Sequence, residues 1–214
     1  MADLFREIDE DLRRDRMVRL WQKYGYLLWM GIGLILLGTA SYVAWQSWQT
    51  RVRDADAARF TAALSSAQAG PNDAAVRELQ VLAASGHGGY QLISRIEAAA
   101  LLAQTKNPAA GLSALRAIAD DSSVDLSYRG LACVLWGLYG VDTIPREQLS
   151  DSLQPLTSPD SPWRFLAAEV LALADLRAGD KADAVKRYQS LADDLAAPQS
   201  QRARAAEIIT DLQN

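Results

Sequence analysis

Disulfide chemistry is excluded within this chain, because its 214 residues include a single cysteine, Cys133. That scarcity does not assign a compartment, since many proteins of oxidising spaces carry no disulfide. Histidine is as scarce: His87 stands alone in a Gly-rich stretch, Gly86 to Gly89. No Gly-Lys-Ser/Thr follows those glycines, so they do not form a phosphate-binding loop. Charge is missing altogether from residues 24–50, and residues 51–214 show no sustained period-2 alternation. The first absence points to an apolar environment and the second excludes a half-buried sheet. An excess of basic charge is lacking too. The formal net charge is −4, and residues 51–214 carry 16 basic against 20 acidic side chains. Nucleic acid is therefore not expected as the chief partner, because phosphate binding needs concentrated Lys and Arg. Half of the residues are apolar, which excludes wholesale disorder and permits a sizeable core.

The uncharged stretch reads YGYLLWMGIGLILLGTASYVAWQSWQT, and its most apolar part, Tyr26 to Trp45, is 20 residues long. As a helix it covers about 30 Å, the hydrocarbon thickness of a bilayer. A buried helix of a soluble protein would need a polar face, and this one has none across its middle. Trp21, Tyr24, Tyr26 and Trp29 gather at one end, and Tyr42, Trp45 and Trp48 at the other. Amphipathic rings favour the headgroup level, so the two clusters read as interfacial belts. A transmembrane helix over residues 24–48 is expected. A cleaved signal peptide fits less well: the preceding 23 residues are long and acidic, and Tyr42 and Val43 interrupt the small-residue pattern of a cleavage site. The span reads as an uncleaved signal anchor.

Before the span stand Arg13, Arg14, Arg16, Arg19 and Lys23, with only Asp15 among them. After it stand Arg51, Arg53 and Arg59, accompanied by Asp54 and Asp56. The positive-inside bias predicts a cytoplasmic N-terminus and a C-terminal domain on the far side, which is the periplasm in a bacterium. Residues 1–23 are expected to form an amphipathic juxtamembrane helix, with Leu4, Ile8 and Leu12 at i, i+4, i+8. Its acidic half leads and its basic half follows, which suits the helix dipole. Such a helix can lie solvated against headgroups or dock a partner, and both readings stay open.

Residues 49–214 read as a helical repeat domain. Turn residues cluster at Gly70-Pro71-Asn72, Gly86 to Gly89, Lys106-Asn107-Pro108, Gly140 to Pro145, Ser158 to Pro162, Gly179-Asp180 and Ala197-Pro198. Caps are expected from Asn72 or Asp73, Asn107, Thr143 and Asp180. Four intervening segments carry small or apolar residues at i, i+4, i+7: Ala75/Leu79/Leu82, Gly111/Leu115/Ile118, Leu149/Leu153/Leu156 and Ala184/Tyr188/Leu191. Their first members, at 75, 111, 149 and 184, are 36, 38 and 35 residues apart. A tetratricopeptide (TPR) helix pair needs about 34 residues, so these spacings predict degenerate TPR-like units. The last helix, with Ala203, Ala206, Ile209 and Leu212 as its stripe and Arg202, Arg204, Glu207 and Asp211 solvated, is expected to cap the array. Residues 51–69 are expected to continue the anchor helix into the first repeat. The fold class is thus all-α, a single transmembrane helix followed by an α-solenoid of degenerate TPR-like helix pairs.

No catalytic constellation is legible, and neither an enzyme activity nor a cofactor, metal or small-molecule substrate is expected. His87 lacks a neighbouring His/Cys/Asp cluster and reads as a loop surface residue. Cys133, in LACVLWGLYG, reads as a core side chain. The acidic pairs Asp120-Asp121 and Asp193-Asp194 fall at helix ends and are expected to be solvated. Stacked helix pairs offer a concave surface to protein partners, and Tyr90, Ile93, Tyr128 and Trp163 are the side chains expected to contribute to it. Each of these four is equally compatible with a place in the core.

Three stretches carry a resemblance: FREIDEDLRRDRMVRLWQKYG (Phe5 to Gly25), WRFLAAEVLALADLRAGD (Trp163 to Asp180) and APQSQRARAAEIITDL (Ala197 to Leu212). With them the chain resembles, over nearly its whole length, the TPR-like family of the ancillary SecYEG translocon subunit (YfgM-like proteins) in its alphaproteobacterial form. The resemblance implies a single-span inner-membrane protein with a periplasmic TPR-like domain. It implies a scaffold or adaptor that joins the Sec translocon to periplasmic chaperones. A regulator of envelope or cell-division processes, or a tethered accessory of an envelope enzyme, is the alternative it leaves. No peptide-clamp residue carries over, because the repeats are degenerate.

Overall fold

The computed structural model describes residues 2–68, 73–105 and 107–213, with side chains from Trp21 onward except at 22 and 28. Every regular element among them is helical: α1 (Ala2–Ala67), α2 (Asp73–Ser85), α3 (Tyr90–Ala103), α4 (Ala109–Asp120), α5 (Leu126–Gly140), α6 (Arg146–Leu153), α7 (Arg164–Arg177), α8 (Lys181–Asp193) and α9 (Gln199–Gln213). A 3-10 turn, Gln154–Thr157, follows α6. The turn at Gly70 to Asn72, the cap expected from Asn72, and Lys106 lie outside the described residues. So do the side chains of Leu4, Ile8 and Leu12. The chain divides into two units, Met1–Asp54 and Ala55–Asn214.

In the first unit the backbone stays helical through Lys23 and Tyr24, so no break separates the juxtamembrane segment from the apolar run. One helix among the described residues is long and apolar enough to cross a membrane, and it is this one. None of its apolar window is buried, and Leu34, Ile35, Leu36 and Leu37 are all exposed. A lipid environment removes the cost of that exposure. The Thr39 hydroxyl donates to the Ile35 carbonyl at 2.8 Å, which satisfies its hydrogen without a second chain.

The second unit is held by the residues of the four triplets. Tyr188, Leu79, Leu82, Leu115, Ile118, Leu149 and Leu153 are the largest fully buried apolar side chains. Each stabilises the fold by about 1.5–3 kcal/mol through removal of apolar surface from water. Leu156 differs from its expected place: α6 stops at Leu153, and Leu156 packs half-buried from the 3-10 turn. Consecutive helices from α2 to α9 pack on one another, and α3 packs on α5 and α5 on α7 as well. The end of α1 joins through Phe60, Ala63 and Ala67, which meet α2 and α3 at Ala75, Val76, Leu79, Ala98 and Leu101.

Glycine permits the closest of these approaches. A Cβ on Gly111 would overlap the Ala103 backbone nitrogen and stand 2.6 Å from the Ala99 carbonyl oxygen, so α4 lies directly on the α3 backbone. Gly179 has φ +84° and ends α7 in a Schellman motif. Its N–H donates to the Leu176 carbonyl at 3.1 Å, and the Asp180 N–H donates to the Asp175 carbonyl at 2.9 Å. Asp180 then caps α8 by accepting from the Asp183 N–H at 3.2 Å, as its position predicts.

Two other expected caps are corrected. The N-cap positions of α4 and α6 are Pro108 and Pro145, with no side-chain cap. Their carbonyls accept the first helical bonds, from Leu112 and Leu149, while Thr143 turns back to the Gly140 carbonyl. The stripe expected on α9 is corrected too. Ala205 and Ile209 are buried, with Ile208 and Leu212 beside them, whereas Ala203 and Ala206 are exposed. The long side chains Ile208, Ile209 and Leu212 decide the face, because burying them outweighs burying two methyl groups. Arg202, expected in solvent, is consequently half-buried.

Four of the unit's long-range hydrogen-bonded pairs share nearly one spacing. Gln104 donates to the Tyr139 hydroxyl at 3.2 Å, Arg116 to the Ser152 hydroxyl at 2.9 Å, and the Trp163 indole to the Ser127 carbonyl at 2.7 Å. Arg204 grips Glu169 with two bonds of 2.7 and 2.8 Å. These pairs are 35, 36, 36 and 35 residues apart.

Candidate interaction surface

Three helices, α3, α5 and α7, each carry a half-buried row, and on α5 that row runs out to exposed side chains. On α5 the buried side is formed by Ala132, Trp136, Gly137 and Gly140, with Cys133 turned to the Ser152 carbonyl in the last turn of α6. Trp136 also lies under the Arg116 guanidinium of α4, 5.1 Å from its ring. On the opposite side, Tyr128, Leu131, Leu135 and Leu138 follow one another at i, i+3, i+7 and i+10. Leu131 and Leu135 have one flank on the core, while Leu138 is 41% and Tyr128 39% exposed. On α7, Leu166 and Leu173 share a face at i, i+7 and are half-buried against the core. On α3, Ile93 and Glu97 share a face at i, i+4 and are half-buried. Packing of α3 on α5 and of α5 on α7 makes these three faces neighbours.

Glu97 is the exception in this apolar row. Among the described residues it forms no hydrogen bond or ion pair, and burial alone raises its carboxyl above the ordinary range. Burial, and secondarily the charge of Glu97, push the Tyr139 phenol up as well. The face therefore combines leucines, one phenol and one uncompensated carboxylate.

The four side chains expected on a partner surface separate into two groups. Ile93 and Tyr128 lie on the open faces just described. Tyr90 packs its ring on Phe60 at 6.0 Å, next to the end of α1. Trp163 precedes α7, and its ring covers Gly130 so closely that a Cβ there would overlap it. Trp163 also borders a groove of about 320 Å³ with Leu126, Pro155, Leu156 and Pro162. Sequence patterning missed Glu97, although its charge inside YQLISRIEAAALLA, four residues after Ile93, was the available signal.

Two polar clusters hold the helices rather than form a site. Asp175 is only 3% exposed, and its two oxygens accept from Arg146 Nε at 2.6 Å and Arg187 Nε at 2.7 Å. This ties α6, α7 and α8 together, with Asp180 and Asp183 further along Arg146. His87 has a partner that the sequence concealed. Its backbone N–H and its Nδ1 both meet Asp56 Oδ2, at 2.8 and 3.0 Å. Burial of Asp56 opposes ionisation, yet the two His87 contacts and the Arg59 charge outweigh it and lower the carboxyl pKa. The sequence could not show this single acidic partner, because the contact joins positions 31 apart. Its side chain is still exposed in the loop, and it pins the α2–α3 turn to α1.

Cys133 is half-buried, and burial raises its thiol pKa, so a reactive thiolate is disfavoured. Of the acidic pairs expected in solvent, Asp121 is half-buried and bonded to Ser123, with Arg95 3.5 Å away. Asp120 pairs with Arg116 one turn back, and Asp193 and Asp194 are exposed. No group of three His, Cys, Asp or Glu side chains converges among the described residues. Comparisons of the chain with protein-family models, characterised proteins and solved structures found no match.

Proposed function

We propose that the protein is a membrane-anchored, TPR-like scaffold whose open helical face holds other proteins close to the bilayer. The observation that carries this reading is the apolar row over α5, half-buried Leu131 and Leu135 with exposed Leu138, on a chain that also has an apolar span. The solenoid architecture is supported by the recurrence of hydrogen bonds 35 or 36 residues apart, which is what stacked helix pairs of about that length produce. Orientation with the N-terminus in the cytoplasm follows from the five basic residues between Arg13 and Lys23. The large unit is then periplasmic, at the inner membrane of a bacterium. The resemblance of the three quoted stretches to ancillary SecYEG subunits makes the Sec translocon and periplasmic chaperones the partners of choice. Tethering raises the scaffold's effective concentration beside emerging chains without any further contact.

A photocrosslinking residue in place of Leu138, in intact cells, tests the reading. It is expected to capture a translocon subunit or a periplasmic chaperone. Recovery of neither, with the protein present at its normal level, would sink it. A reporter active only in the periplasm, fused after Asn214, is expected to be active.

A further inference from the structure

Glu97 poses a physical problem that the scaffold reading does not answer. An ionised carboxylate half-removed from water, with no cation paired to it among the described residues, costs stability, and Gln at the same position would avoid the cost. Other carboxylates of this unit that are drawn out of solvent have a cation: Asp175 has Arg146 and Arg187, and Glu169 has Arg204. Glu97 stands on the open face instead, with Ile93 on its own helix and the phenol of Tyr139 across on α5. Leu131, Leu135 and Leu138 continue that face as apolar surface. The surroundings are those of half an ion pair awaiting its other half.

We propose that this face receives a partner peptide segment of apolar and basic character, its apolar side chains on Leu131, Leu135 and Leu138 and one Lys or Arg on Glu97. The assignment rests on the scaffold reading and adds the chemistry of the partner. The sign of the charge decides against an anionic lipid surface, which Glu97 would repel. One carboxylate is too few ligands for a bound cation. Apolar contact supplies affinity, and the carboxylate selects the segment and its register, since a wrong-sign segment would bury two like charges together. The half-burial of Glu97 near the Tyr139 phenol, rather than at an outer rim, lets its charge act in a partly desolvated contact.

The test uses the full chain in lipid nanodiscs, with empty nanodiscs as the control for lipid binding. Two fluorescent helical peptides carry leucines at i, i+3 and i+7 and differ only in one same-face residue, Lys or Glu. The Lys peptide is expected to bind about ten-fold tighter than its Glu twin. Glu97→Gln is expected to remove most of that ratio, and Glu97→Lys to invert it, with helical content and cooperative melting retained. An unchanged ratio in Glu97→Gln overturns the charge assignment while leaving the scaffold reading standing. Failure of both peptides to bind the folded protein overturns the docking face, and the scaffold reading with it. Self-association that Glu97→Lys weakens, without a peptide preference, would make a second copy the occupant and overturns the proposal as well.

Discussion

At the scale of single residues, the protein treats its charges in two ways. Asp175 is enclosed but receives two guanidinium groups, so its charge is compensated inside the fold. Glu97 is half-enclosed and receives none among the described residues. Its raised pKa has a consequence for stability whose sign is opposite to that of a salt-bridged carboxylate. The folded state favours the protonated form, so the penalty is absent below the unfolded pKa of about 4.3 and grows as pH rises through the folded value. Glu97→Gln is therefore expected to raise the melting temperature at pH 7 and to leave it unchanged near pH 4. Paired thermal melts at the two pH values check this, and a Glu97→Gln variant less stable at pH 7 would contradict it. Tyr139 is the titratable neighbour, and it is uncharged throughout that range.

At the scale of elements, helix pairs meet where side chains are small. Gly111 is the tightest case, since the α3 backbone occupies the space that any Cβ would need. Gly111→Ala improves helix propensity by about 1 kcal/mol in isolation. The clash is backbone against Cβ, which no rotamer can relieve, so overpacking costs of about 3 kcal/mol are expected to win. Urea unfolding of the variant should show a lowered midpoint with an unchanged slope. Gly179 does a different job with the same atom count, letting α7 end and Asp180 begin α8 two residues on.

At the scale of the whole second unit, stability is passed from neighbour to neighbour. Tyr188, Leu191 and Ala172 bury themselves against Ala205 and Ile209 of α9. Deleting residues 199–214 uncovers that cluster and exposes its apolar surface in one patch. The shortened protein is expected to aggregate on purification or to melt at a markedly lower temperature, with α7 and α8 losing amide-exchange protection first. Equal protection in the full and shortened chains would count against α9 as a cap.

Local rules determined much of this protein. The apolar run without charge was readable because hydropathy needs no partner, and the four triplets were readable because helical periodicity puts their members on one face whatever lies opposite. Gly179-Asp180 was readable as a stop and a cap because both effects act within a turn. What waited for tertiary structure was every outcome that depends on a distant residue. His87 gains Asp56 from 31 positions away, and Asp175 gains its arginines from 29 and 12. The face of α9 was decided by which of its side chains could reach Tyr188, and Trp163 was taken by Gly130 and the Ser127 carbonyl. Glu97 was visible as a charge in an apolar helix, but only the packing of the helices half-buried it with no paired cation among the described residues. Periodicity assigns a residue to a face; the stacking of helices decides whether that face is closed, and by what charge.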